Sequence, residues 1–390
     1  MNTYTIQYYD LISRALGGND SKRIQGFLDD VMAAKYDKLE LDGFVFDDMQ
    51  LDFSYEQIQR EVTVTPMANY YDLDSPAKPR SNEGIQSWSG KIPRMKDAEY
   101  LNEDKLRKQL ILEQRIASIG ADRVVRGALE TLFVSVDKLI AGHTNSLTYQ
   151  RHQMVSSGKF EITYANNPKG VAGLTFSAHV PSSNITALSS TARWWTNAGK
   201  TTEGSQADPV ADMAAMVQKA ADKGLTAVHF EINKAYLRKV LGHSAVIKKI
   251  ALSLYPTADI ANTVGAAAVV KESAKIRVLE DLVGAPIKVI DSIVGVEAPV
   301  RSTQNYAIKT FSAFESDVVV LVPDGTIGKV LTVEPMALAG GTYGSFYDGK
   351  LLLTIDVDPV KKCQSFNTEM TSLVIPEVPQ YMWYLYPNNV

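Results

Sequence analysis

The sequence has 390 residues, of which 45% are hydrophobic and 22% charged, and its formal net charge is −4 at pH 7. This composition supplies apolar material for two compact regions, and the slightly acidic balance excludes a protein that binds nucleic acid through its overall positive charge. The single cysteine, Cys363, excludes an intrachain disulfide; because neither a secretory signal nor an apolar run of about 20 residues is present, we expect a soluble chain with no membrane partner.

The first segment, residues 1–59, is predicted to be an acidic, partly helical arm. Apolar residues recur at helical spacing over 6–16 and 22–34, and Gly17-Gly18 separates the two stretches. Between residues 29 and 56, nine acidic residues are opposed by two lysines, which gives a net charge of −7.

The next segment, residues 60–98, has the opposite charge and an extended pattern. From residue 76 to residue 96, five basic residues are opposed by Glu83 alone, a net charge of +4. A strand-like stretch at 61–65 is followed by Pro66, Pro76 and Pro79, and the chain turns near 82–84 before it returns through IQSWSGKIP. We therefore predict a long basic hairpin.

Helices and strands then mix without a regular alternation. Helices are predicted over 101–119 and 121–141, the second with an apolar stripe that ends at Gly142, and strands over 159–164 and 174–180. Asp208 and Pro209 begin a helix that Gly224 ends. A strand at 227–232, helices at 234–241, 244–252 and 265–283, and further strands complete the order. This predicts an α+β fold, because a doubly wound sheet would need a regular βαβ order.

No motif predicts catalysis, a cofactor or a bound metal. Gly344 to Lys350 matches the first seven positions of a phosphate-binding loop, but Leu351 stands where Ser or Thr must hold magnesium, and a strand-like LLLTIDVD follows instead of a helix. A glycine-rich turn between strands is the favoured interpretation. The five histidines have no metal-ligand spacing, and no Gly-x-Ser-x-Gly nucleophile motif occurs. We therefore expect a protein that is not an enzyme.

One region resembles a known family. Its motifs are Trp195, the helix start Asp208-Pro-Val-Ala-Asp212, the strand VHFEIN, and a helical pattern with Tyr236, Leu237, Val240 or Leu241, His243 and Val246, followed later by Val322-Pro-Asp-Gly325. This set resembles the lambda-type major capsid proteins of tailed bacteriophages, the major capsid protein E family.

The resemblance implies a Hong Kong 97-like capsid fold. Its parts would be an N-terminal arm at 1–59, an extended hairpin loop (E-loop) at 60–98, a peripheral domain at 99–195 with a spine helix at 121–141, an axial domain at 196–335, and return strands of the peripheral domain at 336–390.

The resemblance also implies a structural protein of the virion. Copies would assemble in the host cytoplasm into hexamers and pentamers of an icosahedral head that encloses double-stranded DNA without sequence-specific binding, with portal, scaffolding and decoration proteins as possible partners. Two alternatives stay open: an encapsulin-like shell of a bacterial nanocompartment, and a nucleotide-binding enzyme that uses Gly344 to Lys350.

The charge inversion suggests which surfaces of two subunits meet. We predict that the basic hairpin lies on an acidic surface of the adjacent subunit, with charges setting orientation and apolar side chains supplying affinity. The predicted contact residues are the basic Lys78, Arg80, Lys91, Arg94 and Lys96, the apolar Ile85, Trp88 and Ile92, and the acidic Asp42, Asp47, Asp48 and Asp52.

Overall fold

A computed structural model of the chain describes residues 36, 38–60, 85–101, 121–197, 199–254, 270–299, 306–336, 342–358 and 363–388. The predicted helices at 6–16 and 22–34, the strand at 61–65, and residues 102–119 of the next predicted helix lie outside these ranges. Lys78 and Arg80 lie outside them as well.

The described residues form helices and strands in mixed order. The helices are α1 (Ala121–Ser157), α2 (Pro209–Asp222), α3 (Lys234–Leu241), α4 (Ser244–Leu254) and α5 (Glu272–Val283). The strands are β1 (Phe44–Phe46), β2 (Ser54–Arg60), β3 (Ile85–Lys91), β4 (Arg94–Leu101), β5 (Lys159–Ile162), β6 (Leu174–Ser177), β7 (Ile185–Ala187), β8 (Val228–Asn233), β9 (Ile287–Ile290), β10 (Ile293–Pro299), β11 (Tyr306–Ser312), β12 (Val319–Pro323), β13 (Gly328–Val333), β14 (Thr342–Phe346), β15 (Leu351–Asp358), β16 (Cys363–Pro376) and β17 (Trp383–Tyr386).

The prediction that the long helix ends at Gly142 is wrong. Helix α1 continues to Ser157 and has 37 residues. Its buried positions after Gly142, among them His143, Leu147 and Met154, continue the helical spacing of the apolar stripe. A glycine inside a helix costs only about 1 kcal/mol relative to alanine, which is less than the burial of these side chains provides.

The helices of the central region follow their predicted signals. The Asp208 side chain accepts a hydrogen bond from the Ala211 N–H at the start of α2, and Pro209 occupies the first turn. Helices α3 and α4 begin where predicted. Helix α5 begins at Glu272, later than the predicted residue 265. It is followed by Gly284, whose φ of 79° is the left-handed conformation that commonly ends a helix at glycine.

The chain divides into two compact units, each built from three separate segments. Unit 1 contains Met1–Tyr55, Ser89–Thr148 and Val330–Val374, and unit 2 contains Glu56–Trp88, Tyr149–Lys329 and Ile375–Val390. The main sheet of unit 1 has the strand order β1-β13-β16-β15-β14, and β4 also pairs with β16. Strand β16 is 14 residues long, which gives it room for several neighbours.

Unit 2 is organised around a five-stranded mixed sheet with the order β7-β17-β12-β8-β9. Phe230 and Ile232 of β8 belong to a hydrophobic core with side chains of helices α2 to α5, such as Met213 and Leu237. Because side chains alternate along a strand, His229 and Glu231 point to the opposite face of this sheet. Two further hairpins, β5–β6 and β10–β11, belong to the same unit.

Backbone pairing in the sheet of unit 2 crosses the limits 196–335 of the axial domain, which stays a prediction. Strands β7 and β17 lie at 185–187 and 383–386, outside those limits, and both pair within the same sheet as β8 and β12. Sequence order placed these strands in other domains, whereas backbone pairing joins segments that are far apart along the chain.

Candidate assembly surface

The predicted hairpin begins earlier than its sequence pattern suggested. Strands β2 and β3 form a two-stranded sheet, and β2 begins at Ser54, within the segment that was assigned to the arm. The return strand β3 contains Ile85, Trp88 and Lys91, as predicted for the returning half of the hairpin. Lys91 is exposed at the end of this strand.

Arg94 and Lys96 belong to the sheet of unit 1 and not to the hairpin. They lie on β4, which pairs with β16 in a register that sets Lys96 opposite Glu369. Arg94 forms a salt bridge with Glu369, and Lys96 Nζ lies 3.4 Å from Glu369 Oε2. These cross-strand pairs hold the two strands in register within one subunit.

Two of the three predicted apolar contact residues are engaged within the subunit. Ile92 is only 4% exposed, and its N–H donates to the Phe53 carbonyl oxygen at 2.8 Å. The Trp88 ring stacks on His179 with centroids 4.2 Å apart and an interplanar angle of 14°. Ile92 therefore has almost no surface to offer a neighbour, and Trp88 anchors the hairpin to its own unit 2.

The four predicted aspartates lie along one segment of unit 1, residues 42–52. Asp42, Asp48 and Asp52 are exposed, and Asp47 is partly buried. The Asp47 N–H donates to the Val330 carbonyl oxygen at 3.1 Å, which fixes this segment beside β13. Hydrogen bonds from the Ser54 hydroxyl and N–H lower the pKa of Asp52, so this carboxylate stays charged in mildly acidic solution.

The same segment carries apolar side chains that sequence reasoning missed. Val45 is 55% exposed, Leu51 68% and Phe53 46%. The signal was present in the sequence, because FVFDDMQLDF interleaves large apolar residues with the aspartates. Exposed apolar groups beside charges that set orientation are typical of a surface that binds another protein.

A cleft of about 810 Å³ opens at the beginning of this segment. It is lined by Lys38–Asp42, Phe44–Phe46, Asp348 and Lys350. Lys350 Nζ lies 5.8 Å from the centroid of the Phe46 ring, within the range of a cation–π contact. The lining places the acidic Glu40, Asp42 and Asp348 beside the basic Lys38 and Lys350, and these carboxylates would repel a phosphate group.

The glycine-rich motif at 344–350 is a turn between strands, as predicted. Phe346 of β14 pairs with Leu351 of β15, and the four residues between them form the turn. Tyr347, Asp348 and Gly349 have φ values of 54°, 54° and 87°. Because no helix follows, this turn lacks the helix N-terminus that a phosphate-binding loop supplies.

Metal clusters and membrane-spanning helices are both absent from the part of the chain that the structure describes. No cluster of three or more His, Cys, Asp or Glu side chains suited to a metal ion occurs among those residues. Within the same ranges, no helix is long and apolar enough to cross a membrane.

Unit 2 contains a buried group of charges that the sequence did not reveal. Arg151 of α1 donates two hydrogen bonds to Glu231 of β8, the Nη1–Oε2 distance being 2.6 Å. The two side chains are 2% and 0% exposed. Lys288 Nζ and His229 Nε2 lie 3.5 Å and 3.7 Å from Glu231 Oε1. Burial would raise the pKa of Glu231, but the His229 and Arg151 contacts lower it to about 2.

His229 lies between two carboxylates. Its Nδ1 is 2.5 Å from Asp324 Oδ1, and its Nε2 faces Glu231. Burial would lower the pKa of His229, but these two carboxylates raise it above its ordinary value. The one signal in the sequence was the pair of ionisable residues, His and Glu, inside the strand VHFEIN.

Several phage-related proteins are among the solved structures that resemble this chain, at low sequence identity. A phage-related protein of Bordetella bronchiseptica RB50 is 13% identical with a TM-score of 0.43, covering 98% of this chain and 97% of that one. A candidate capsid protein of a prophage in Escherichia coli CFT073 is 11% identical with a TM-score of 0.46, covering 98% and 99%. The mature capsid of bacteriophage PhiM1 is 10% identical with a TM-score of 0.41, covering 91% and 88%.

These TM-scores lie below 0.5, so the structural likenesses carry no part of the assignment. No curated protein matches the sequence significantly. The assignment comes from the family model described as phage major capsid protein E, which matches residues 33–282. The chain therefore belongs to the phage major capsid protein E family, whose members have a structural role in the capsid.

Proposed function

We propose that copies of this chain assemble into hexamers and pentamers of an icosahedral phage head, with the arm, E-loop, spine helix and domains of a Hong Kong 97-like fold. The head would form in the host cytoplasm and enclose double-stranded DNA. The slight acidity of the chain, with a net charge of −4, supports a container that does not bind phosphates through counterion release. Portal, scaffolding and decoration proteins are the further partners of such a head.

The observation that carries this proposal is the acidic and apolar segment 42–53 of unit 1. Its aspartates are opposite in charge to the basic hairpin, and Val45, Leu51 and Phe53 beside them are exposed. Each exposed ion pair would contribute only about 0–1 kcal/mol. We therefore assign affinity to the apolar side chains and orientation to the charges.

The basic side of this contact is revised in light of the fold. Arg94 and Lys96 have Glu369 as a partner within the subunit, and Ile92 is buried. We therefore assign the basic side to Lys78, Arg80 and Lys91. Asp42, Asp47, Asp48 and Asp52 remain the proposed acidic side.

Charge reversal tests this contact. The triple variant Lys78→Glu, Arg80→Glu, Lys91→Glu should stay folded but form no particles in electron micrographs and light scattering. A control with the same change of charge reverses three exposed lysines of unit 2, Lys239, Lys248 and Lys271, and should assemble as the wild type does.

A charge swap tests which acidic surface receives the hairpin. Asp47→Lys, Asp48→Lys and Asp52→Lys, added to the triple variant, should restore particles. Normal shells from the triple variant alone would contradict the proposed contact, and absence of particles from the wild type under all assembly conditions would contradict the proposed function itself.

The two alternative functions find less support. Membership of a phage capsid family does not favour an encapsulin-like nanocompartment. A nucleotide-binding enzyme would need the motif at 344–350 to open a helix, and a β-turn stands there instead. Isothermal titration of the full chain with ATP should give no binding at micromolar concentrations.

A further inference from the structure

The β10–β11 hairpin of unit 2 has one face that packs inward and one that is open. Inward, Val294 is 7% exposed, and Phe311 packs against the Tyr149 ring with centroids 5.5 Å apart. The register sets Val294 opposite Phe311, so the alternate pairs point to the other side. We call this other side the ribbon face; its residues are Ile293, Gly295, Glu297, Ile308, Thr310 and Ser312.

The ribbon face exposes large apolar side chains. Ile293 is 68% exposed and Ile308 is 72% exposed. Ile308 lies directly opposite Glu297. The Cγ2 atom of Ile308 also lies over Gly295, where an added Cβ would be only 3.0 Å from it. Most of the Ile308 side chain therefore stays in water in the single subunit.

A second hairpin extends this surface. Lys169, in the connection between β5 and β6, forms an ion pair with Glu297 of the ribbon face. The Tyr149 ring contacts Phe160 of β5 as well as Phe311, with centroids 5.8 Å and 5.5 Å apart. The β5–β6 hairpin and its connection add three more exposed apolar residues, Tyr164 at 78%, Val171 at 63% and Leu174 at 43%.

The chemistry of this surface fits a protein partner. The one charged residue of the ribbon face, Glu297, is paired with Lys169, and the face carries no Lys or Arg to meet phosphates or anionic lipid headgroups. Depletion of charge together with aromatic and aliphatic residues is typical of the core of a protein interface.

The backbone supports the same conclusion. Among the described strands, β10 and β11 pair only with each other, so no described strand covers the outer edge of either. A two-stranded ribbon is marginally stable by itself, and its seven-residue strands extend over about 24 Å.

We propose that the ribbon face, together with Tyr164, Val171 and Leu174, is a contact surface for a second copy of this chain. The inference rests on the proposed function, because a shell subunit is surrounded by copies and rings close through contacts between different surfaces of the same chain. This contact is separate from the one proposed for the basic hairpin.

The test is a double variant with a matched control. Ile293→Ser with Ile308→Ser should leave the melting temperature of the full chain unchanged within about 2 °C, because both side chains are already exposed. The yield of particles should fall at least about tenfold. The control, Leu252→Ser with Leu282→Ser, removes side chains that are 41% and 36% exposed on α4 and α5, and should assemble normally.

A reporter keeps the test valid if the double variant misfolds. Ile308→Cys in a Cys363→Ser background leaves one thiol, which should react with a maleimide at least tenfold more slowly in particles than in unassembled chain. Equal reactivity, normal shells from a folded double variant, or protection that requires another protein would each overturn the assignment to a second copy. If the wild type forms no particles at all, the proposed function fails first and the present inference with it.

Discussion

Replacing Glu231 by Gln is the most informative test of how unit 2 is held together. The carboxylate is 0% exposed and receives two hydrogen bonds from Arg151, which is 2% exposed. Removing the negative charge takes away the carboxylate that compensates the buried guanidinium. Breaking a buried pair in this way costs about 3–5 kcal/mol, a large fraction of the about 5–15 kcal/mol by which a typical protein is stable.

The structure also predicts how this loss can be recovered. Lys288 is 39% exposed and His229 is 16% exposed, so both keep access to water when Glu231 is gone, whereas Arg151 does not. Replacing the pair together, as Arg151→Met with Glu231→Leu, removes both buried charges. Such exchanges are often neutral or stabilising, and the double variant should be more stable than Glu231→Gln.

Urea unfolding followed by tryptophan fluorescence measures this effect in the right place. The four tryptophans of the chain are residues 88, 194, 195 and 383, and all of them belong to unit 2. Fluorescence therefore reports the unfolding of the unit that contains Glu231 and Arg151. Two-state behaviour must hold for that unit, which a second probe such as circular dichroism checks.

The reasoning fails if Glu231→Gln unfolds within about 1 kcal/mol of the wild type. It also fails if the double replacement is less stable than the single one, because the missing carboxylate beside the buried guanidinium would then not be the source of the loss. A double-mutant cycle that also includes the single variant Arg151→Met gives the interaction energy between Arg151 and Glu231.

Three further predictions concern pH and a close backbone approach. The two carboxylates that flank His229 raise the pKa of this histidine despite its burial. Protonated His229 therefore stabilises unit 2 fully below about pH 6.5, and this stabilisation is lost as pH rises through the pKa of the folded state. His229→Gln should abolish this pH dependence of the urea midpoint. Burial lowers the pKa of His143 in unit 1 to about 4. The free energy of unfolding should therefore fall by about 3 kcal/mol as pH falls from 6.5 to 4. An NMR titration that gives a pKa above 6 for His143 would contradict this. At Gly204 a Cβ would lie 2.1 Å from the Arg193 carbonyl oxygen, so Gly204→Ala should cost about 1–3 kcal/mol in thermal melts. Gly199→Ala should not, because a Cβ there would lie 3.7 Å from Asn197 Nδ2.

Local signals predicted the helices of unit 2 well. Asp208, Pro209 and Gly224 act through their own backbone geometry, so their effect can be read from neighbouring residues alone. The same kind of signal failed at Gly142, because the packing of later residues such as Met154 decided where the helix ends.

Long-range pairing explains the remaining differences. Arg94 follows Pro93 in what looks like the end of a hairpin, but its position is set by pairing with β16. Arg151 and Glu231 are 80 residues apart, and no local pattern joins them. The charged residues of the candidate surface were predicted, because they form runs along the sequence. Its apolar residues were not predicted, because they occur singly between aspartates.

The place of β17 in its sheet has a consequence for the order of events during synthesis. Residues 383–386 lie between β7, at 185–187, and β12, at 319–323. A ribosome that has made residue 323 has produced both neighbours but not the strand that joins them, and each still has an open edge that can pair wrongly. Contacts of such long separation also form slowly. A chain that stops before residue 383 therefore lacks the strand that joins β7 to β12, and the edge of β12 that β17 would cover stays open.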